Sequence, residues 1–278
     1  MMSRNIDTAV VDGFGDEWSR FDQSELSEAE AQQLFREYFD IFPWQELAAG
    51  AVGLDLGCGS GRWARLVAPR VGRLLCFDAS QAAVDVAKRM LAGMENVEVT
   101  RAAVDELPVS DDCADFAYSL GVLHHIPDTA AALRACVRKL RPGAPFLVYL
   151  YYRFDNRPLW YRLLWRLSEV IRYPVSRAPK PVRYGISQFL AATVYWPLSR
   201  LARVAERFGM RAESFPLAYY RKRSYYVLRT DALDRFGTRL EQRFTRAEVE
   251  AMMRGAGLVD ITFSPHAPFW CATGRRDT

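Results

Sequence analysis

Histidine is scarce in this chain, with three residues in 278, and the five cysteines stand far apart. Cys58, Cys76, Cys113, Cys136 and Cys271 form no C-x-x-C pair, and no histidine lies at metal-ligand spacing from any of them. That distribution argues against a zinc site and against a disulfide framework, so no metal is expected and a reducing cytoplasm is the expected location. Long apolar runs are missing too. The longest uncharged run in the second half, Tyr184 to Ser199, is shorter than the ~20 residues a spanning helix needs. The first residues lack the apolar core of a secretory leader, and no internal repeat or low-complexity segment is present.

What the chain does have is an ordinary globular composition: half hydrophobic, a quarter charged, with a net charge of +4. Disorder is therefore not expected, and the length allows one large domain or two small ones. Everything is organised around Val52-Gly53-Leu54-Asp55-Leu56-Gly57-Cys58-Gly59-Ser60-Gly61. A short apolar run ending in alternating glycines reads as a buried parallel strand, a tight loop and a helix start. Glycine is needed where the backbone takes positive φ or approaches a ligand closely.

The spacing separates two kinds of nucleotide ligand. A dinucleotide fingerprint has G-x-G-x-x-G, with pyrophosphate on the helix N-terminus. Here the pattern is G-x-G-x-G, and Asp55 precedes the first glycine by two residues. A carboxylate at that place suits a ligand with a positive amino group. Leu74 to Asp78 reads as a second strand ending in an acid, which can accept both hydroxyls of a ribose. Asp55, the glycines and Asp78 together describe an adenosyl group with an amino acid attached.

These residues carry a resemblance. Leu54 to Gly61 resembles the first motif of the class I S-adenosylmethionine-dependent methyltransferases of small-molecule type, and Asp78 matches their ribose-binding acid. Val104-Asp105-Glu106-Leu107-Pro108 is similar to the segment whose acid lies near the adenine amino group. Leu120 to Asp128 is similar to the segment after the fourth strand. The resemblance covers roughly residues 50 to 150 and the last thirty or so. It implies S-adenosyl-L-methionine as cofactor, held by Asp55, Gly57, Cys58, Gly59, Gly61, Asp78, Ala79, Val104, Asp105, Leu120 and His125. It also implies an α/β, Rossmann-like, doubly wound sheet of seven strands with an antiparallel closing hairpin.

Along the chain, residues 1–45 are read as an N-terminal arm and a packing helix. The arm offers Phe14, Trp18 and Phe21, either as a lid over the cofactor mouth or as simple docking contacts. Residues 46–150 are read as the cofactor-binding core, with strands at 51–56, 73–78, 97–101, 114–120 and 144–150 and helices at 61–68, 80–92 and 128–140. Residues 241–278 return to the sheet through a capping box at Thr245-x-x-Glu248 and closing strands at 258–263 and 269–273.

Between them, residues 151–240 are read as a mainly helical insertion after the fifth strand, and as the acceptor cap. From Tyr151 to Thr230 there are sixteen Arg and Lys against four Asp and Glu, and seventeen of the thirty-six aromatics. A net of +12 beside −8 in the remainder points to an acidic partner. Two helices are read there, Pro158 to Arg172 and Ile186 to Phe208. Each has an apolar stripe opposed by arginines, with Arg200, Arg203 and Arg207 outside, and Pro197 kinks or divides the second.

The expected chemistry is in-line methyl transfer. Positioning contributes on the order of 7–11 kcal/mol, and a base contributes roughly 10²–10⁴-fold if the acceptor is a hydroxyl. His124 and His125 are the candidate bases, one of them facing the cavity; His266 is read as structural. Tyr149, Tyr151, Tyr152, Tyr220, Arg221, Arg223 and Tyr225 are the candidate acceptor-binding residues, for a small or lipid-linked molecule with an apolar body and a negative group. The alternatives are an RNA methyltransferase, or a non-catalytic protein that contacts an anionic membrane surface. The same aromatic, arginine-rich helices would also serve a homodimer. No Asn-Pro-Pro-Tyr base-methylation motif or appended RNA-binding module is present, so nucleic acid is the less favoured partner.

Overall fold

The computed structural model describes residues 5–210 and 215–278. The chain divides into two compact units. The first comprises Met1–Gln23, Ala31–Arg153 and Leu240–Thr278; the second comprises Ser24–Glu30 and Phe154–Arg239.

The first unit is built on one sheet of seven strands. They are β1 (Val52–Leu56), β2 (Arg73–Asp78), β3 (Val97–Arg101), β4 (Phe116–Leu120), β5 (Pro145–Tyr149), β6 (Leu258–Phe263) and β7 (Cys271–Arg276), in the order β3-β2-β1-β4-β5-β7-β6. β1 to β5 are parallel, and β7 runs antiparallel between β5 and β6. The strand order reverses between β1 and β4, the place where an open parallel sheet leaves a crevice at its carboxyl edge. Leu54, Leu56, Leu74, Phe116, Phe146 and Leu147 are fully buried, as expected for central strands covered on both faces.

The helices of this unit are α1 (Thr8–Arg20), α2 (Glu28–Tyr38, shared with the second unit), α3 (Ala64–Val67), α4 (Gln81–Met90), α5 (Thr129–Val137) and α10 (Arg246–Gly255). Ser80, Asp128 and Thr245 cap α4, α5 and α10 by accepting from backbone N–H groups, and Thr245 with Glu248 completes a capping box. Helix α3 begins at Ala64, later than the spacing suggests, because the three glycines hold the loop in positive φ through Gly61. The last strand is displaced to 271–276, so residues 269 and 270 precede it.

The second unit is helical, with α6 (Leu159–Val175), α7 (Lys180–Leu190), α8 (Trp196–Arg207) and α9 (Tyr225–Gly237). A five-residue π turn, Ala191–Tyr195, joins α7 to α8. Pro197 sits in the first turn of α8, and the backbone stays helical from Leu190 through Trp196, so the proline is met by a π turn within a continuous helical run. The wide turn accommodates a ring that lacks an N–H and crowds the carbonyl four residues earlier. Helix α9 is not legible in the sequence, because Tyr226, Val227, Leu228, Ala232, Leu233 and Phe236 are all buried and leave it little polar face. It forms a small core with Val175, Ala191 and Tyr195.

Candidate functional site

The glycine loop follows β1 with Gly57, Gly59 and Gly61 at φ of 86°, 55° and 80°. The Gly57 and Cys58 N–H groups both donate to the Phe77 carbonyl, at 2.8 and 3.0 Å, which ties the loop to β2. A Cβ on Gly57 would lie 2.4 Å from a methyl of Val122, and one on Gly59 would lie 2.8 Å from the Trp18 indole. Gly57→Ala is accordingly expected to lower stability by about 1–3 kcal/mol from backbone strain alone, read by denaturant unfolding. Adding Val122→Ala removes the two methyls but leaves the Val122 Cβ at 2.9 Å and the strain in place, so only partial recovery is expected.

Two carboxylates frame the loop. Asp55 is almost fully buried and accepts from the Tyr118 hydroxyl at 2.9 Å. The two residues are register partners across β1 and β4. Burial raises the Asp55 carboxyl from its ordinary 3.8 to about 7, against the Tyr118 hydrogen bond, which lowers it. Asp78 accepts from the Gly59 N–H at 3.0 Å and the Ser80 N–H at 2.8 Å. Burial raises its carboxyl as well, and those two N–H groups oppose the rise. Asp105 accepts from the Asn5 N–H at 3.0 Å through Oδ2, while its other carboxylate oxygen is buried with no hydrogen-bond partner among the described residues. Cys58, Val104 and Leu120 are buried, Ala79 is half-buried, and burial keeps the Cys58 thiol protonated.

Helix α1 lies along the carboxyl edge of the sheet. Phe14 packs on His125, after β4, with ring centroids 4.8 Å apart. Gly15 approaches Ser80, after β2, and Trp18 covers Gly59, after β1. Phe21 differs from its two companions: it is 2% exposed and anchors the end of the helix in the interior. Of the predicted lid, Phe14 and Trp18 reach the glycine loop and the turn after β4.

A circuit of rings closes around this edge. Arg62 lies over Trp18 and Trp63, at 5.7 and 4.5 Å; Trp63 meets Tyr38 at 4.8 Å, and Tyr38 meets Tyr149 at 5.1 Å. Tyr149 meets Tyr151 at 5.7 Å, Tyr151 stacks on His124 at 3.8 Å, and His124 touches His125 at 4.0 Å. Phe14 returns the circuit to α1. Arg243 lies over Tyr151 at 5.0 Å, and its guanidinium donates to the buried Glu241 carboxylate at 2.6 Å. Burial alone would lower the Arg243 pKa, but Glu241 and the two tyrosines raise it. Tyr38, Trp63, Tyr118, Glu241 and Arg243 were not foreseen; the only sequence signal was the proximity of residues 241–243 to the return into the sheet.

Both histidines are buried, His125 with its Nε2 shielded from solvent as well, and they differ in their partners. His124 is fully buried, and neither ring nitrogen has a hydrogen-bond partner among the described residues. Burial, then His125 and Arg243, lower its pKa well below 6.5, which makes it a neutral packing residue. The Nδ1 of His125 lies 2.7 Å from the Leu240 carbonyl. A carbonyl only accepts, so Nδ1 carries the proton and a neutral ring keeps its lone pair on Nε2.

The remaining predicted acceptor residues are divided between the units. Tyr149, Tyr151 and Tyr152 belong to the first, where Tyr152 packs toward Phe269 and Trp270. Tyr220, Arg221, Arg223 and Tyr225 belong to the second. Arg221 donates to Glu206 at 3.0 and 3.1 Å, and Arg223 is buried with its guanidinium 4.9 Å from the Tyr219 ring. Tyr220 is half-buried beside Tyr195, and Tyr225 packs edge-on against Trp196. The two arginines expected to hold an acidic group are thus engaged in packing, because the acid of α8 and the Tyr219 ring lie within their reach.

The residues present suit S-adenosylmethionine. One buried carboxylate has a single neutral partner, a second accepts at the end of β2, a third has an oxygen to spare, and an aromatic circuit suits a sulfonium cation. Residues 54–148 match a family described as methyltransferase domain. A probable S-adenosylmethionine-dependent methyltransferase of Mycolicibacterium smegmatis is 33% identical over 133 residues, which is 47% of this chain and 50% of that protein. A ubiquinone biosynthesis O-methyltransferase of Hahella chejuensis is 28% identical over 157 residues, covering 55% and 63%. The chain therefore spans less than two thirds of the length of these curated relatives. Among solved structures, a chain of the complex between the Haloferax volcanii Trm112 methyltransferase activator and a putative methyltransferase superposes with a TM-score of 0.51. It is 16% identical, with 97% of this chain and 98% of that chain covered. A Thermotoga maritima structure described as a possible histamine N-methyltransferase gives 0.50 at 14% identity, covering 95% and 100%. At such identities the likeness concerns the fold.

Proposed function

We propose that this chain, which carries a class I S-adenosylmethionine-dependent methyltransferase domain, transfers the cofactor's methyl group to a small acceptor with an apolar body. The observation that carries the reading is the carboxylates of Asp55 and Asp78 at the carboxyl ends of β1 and β2, the second tied to a glycine loop that Trp18 covers. The cofactor supplies a methyl group already activated on a positive sulfur. The chain's own residues then have three tasks: to hold the cofactor, to exclude water and to align the acceptor. Asp55 takes the amino group, Asp78 the ribose hydroxyls and Asp105 the adenine amine, with Phe14 and Trp18 as the lid. Tyr149 and Tyr151 form the apolar wall against which the acceptor lies.

For a hydroxyl acceptor, the chain's own part would be to hold the oxygen in line with the methyl group that the cofactor supplies and to take up the hydroxyl proton. The hydroxyl proton goes to Nε2 of His125, held in the correct tautomer by the Leu240 carbonyl. Relatives named as ubiquinone biosynthesis O-methyltransferases support a small-molecule acceptor of this kind.

The test supplies the cofactor with a labelled methyl group together with a small-molecule extract, and counts organic, aqueous and nuclease-treated fractions separately. Label in the organic fraction is expected, and His125→Gln should slow its appearance by roughly 10²–10⁴-fold at saturating cofactor. Label confined to nucleic acid would overturn the acceptor class. An unchanged rate in the variant would remove His125 as the base.

A further inference from the structure

Helices α6 and α8 are amphipathic in the reverse of the usual sense. Along α6, Leu159, Leu163, Leu167 and Val170 are 72, 63, 67 and 71% exposed. Its inward face sets a polar cluster beside Tyr161, Trp165 and the buried Val175: Glu169 pairs with Arg172 and Arg235, and the Arg172 guanidinium donates to the Thr238 carbonyl at 2.7 Å. In α8 the buried positions are the small residues Ser199, Ala202 and Ala205, whereas Leu201, Val204 and Phe208 are 59, 46 and 81% exposed. Contiguous exposed apolar faces of this kind mark an interaction surface.

Charge identifies what covers it. The acids of α6 and α8 are Glu169 and Glu206, and both are ion-paired, Glu206 with Arg221 and Lys222. Arg162 and Arg166 border the α6 stripe, and Arg207 borders that of α8, on helical spacing. Each of these helices therefore turns an apolar stripe outward with arginine beside it, and no acid of the two helices is left to answer that charge. A second copy of the chain would set arginine borders against each other, whereas a bilayer carrying anionic headgroups meets both the charge and the apolar stripe. No helix among the described residues is long and apolar enough to cross a membrane. We infer that α6 and α8 seat this chain on an anionic lipid surface, their leucines in the acyl boundary and their arginines among the headgroups.

This inference is independent of the methyl-transfer reading, and flotation with vesicles tests it. The full-length protein is expected to float with phosphatidylglycerol-containing vesicles and far less with pure phosphatidylcholine. Leu163→Glu with Leu167→Glu, and separately Phe208→Glu, should each weaken flotation by about tenfold or more. Because these side chains are exposed, the thermal midpoint and the cofactor Kd should not change. High salt should weaken the wild type, since the headgroup attraction is screened. Wild-type protein that ignores both vesicle types, or variants that float as well as the wild type, would overturn the proposal. A dimer in sedimentation that the same variants split, without vesicle binding, would overturn it in favour of a second copy.

Discussion

Replacing Asp78 with alanine is expected to raise the Kd for S-adenosylmethionine by on the order of 10² or more, since it removes charge-assisted hydrogen bonds worth roughly 1.5–3 kcal/mol each. Its carboxylate stands at the carboxyl end of β2, where an acid can take both ribose hydroxyls at once. It already accepts from the N–H groups of Gly59 and Ser80, so it also fixes the loop that the ligand meets. The alanine variant therefore loses both the contact and some of the loop's order. Asp78→Asn separates the two effects, because an amide oxygen still serves one N–H. Titration calorimetry reads affinity and a thermal melt reads order. An alanine variant that binds within about threefold of wild type, less than a single such bond is worth, would show that the ribose is held elsewhere.

The second large effect concerns pH and Asp55. In the folded chain its carboxyl titrates near 7 rather than 3.8, chiefly through burial. A cationic amino group beside it favours the carboxylate, so binding expels a proton wherever Asp55 is still protonated. Affinity should therefore fall as pH falls below about 7, by up to tenfold per unit. Asp55→Asn should flatten that profile, and the difference between variant and wild type removes the contribution of the ligand's own amine. Stability moves in the opposite direction. Between about pH 4 and pH 7 the native state holds a proton that the unfolded chain has released, so stability declines as pH rises through that window. The shift of about three units corresponds to roughly 4 kcal/mol at most. At about pH 8, Asp55→Asn should thus melt higher than wild type while binding cofactor more weakly. A variant that melts lower and binds unchanged would remove Asp55 from the site.

The sheet and half of the site were legible because their signals are local. Gly57, Gly59 and Gly61 mark a loop by their spacing, and Asp78 ends an apolar run that can only be a buried strand. The partners of these residues were not legible. Tyr118 reaches Asp55 only because β4 lies next to β1 in the sheet, a neighbour relation that crosses 63 positions of sequence. Likewise Tyr38 and Trp63 join Tyr149 through packing of α2 against the edge, and Arg243 finds Glu241 and Tyr151 only after the chain returns to the core. The adjacent histidines look equivalent in sequence. The backbone carbonyl of Leu240, within reach of one ring only, makes them different.

By itself, then, the sequence determined the strand–loop–helix repeat, the acids at the ends of β1 and β2, the capping box at Thr245 and the basic, aromatic character of residues 151–230. Those follow from residue type and spacing along a chain whose local geometry has few choices. What only the tertiary structure decided is which face of each element is inside. Helical periodicity states that α6 and α8 have two faces, without stating which one the rest of the unit will cover. Here the buried Arg172 and Arg235 pair with the half-buried Glu169, and small residues of α8 allow close packing, so the leucines and Phe208 are left facing outward. Arg200, expected outside, instead donates to the Arg223 carbonyl at 2.7 Å. A buried polar group is tolerated when its hydrogen bonds are met, and that condition depends on neighbours that only the folded chain brings together.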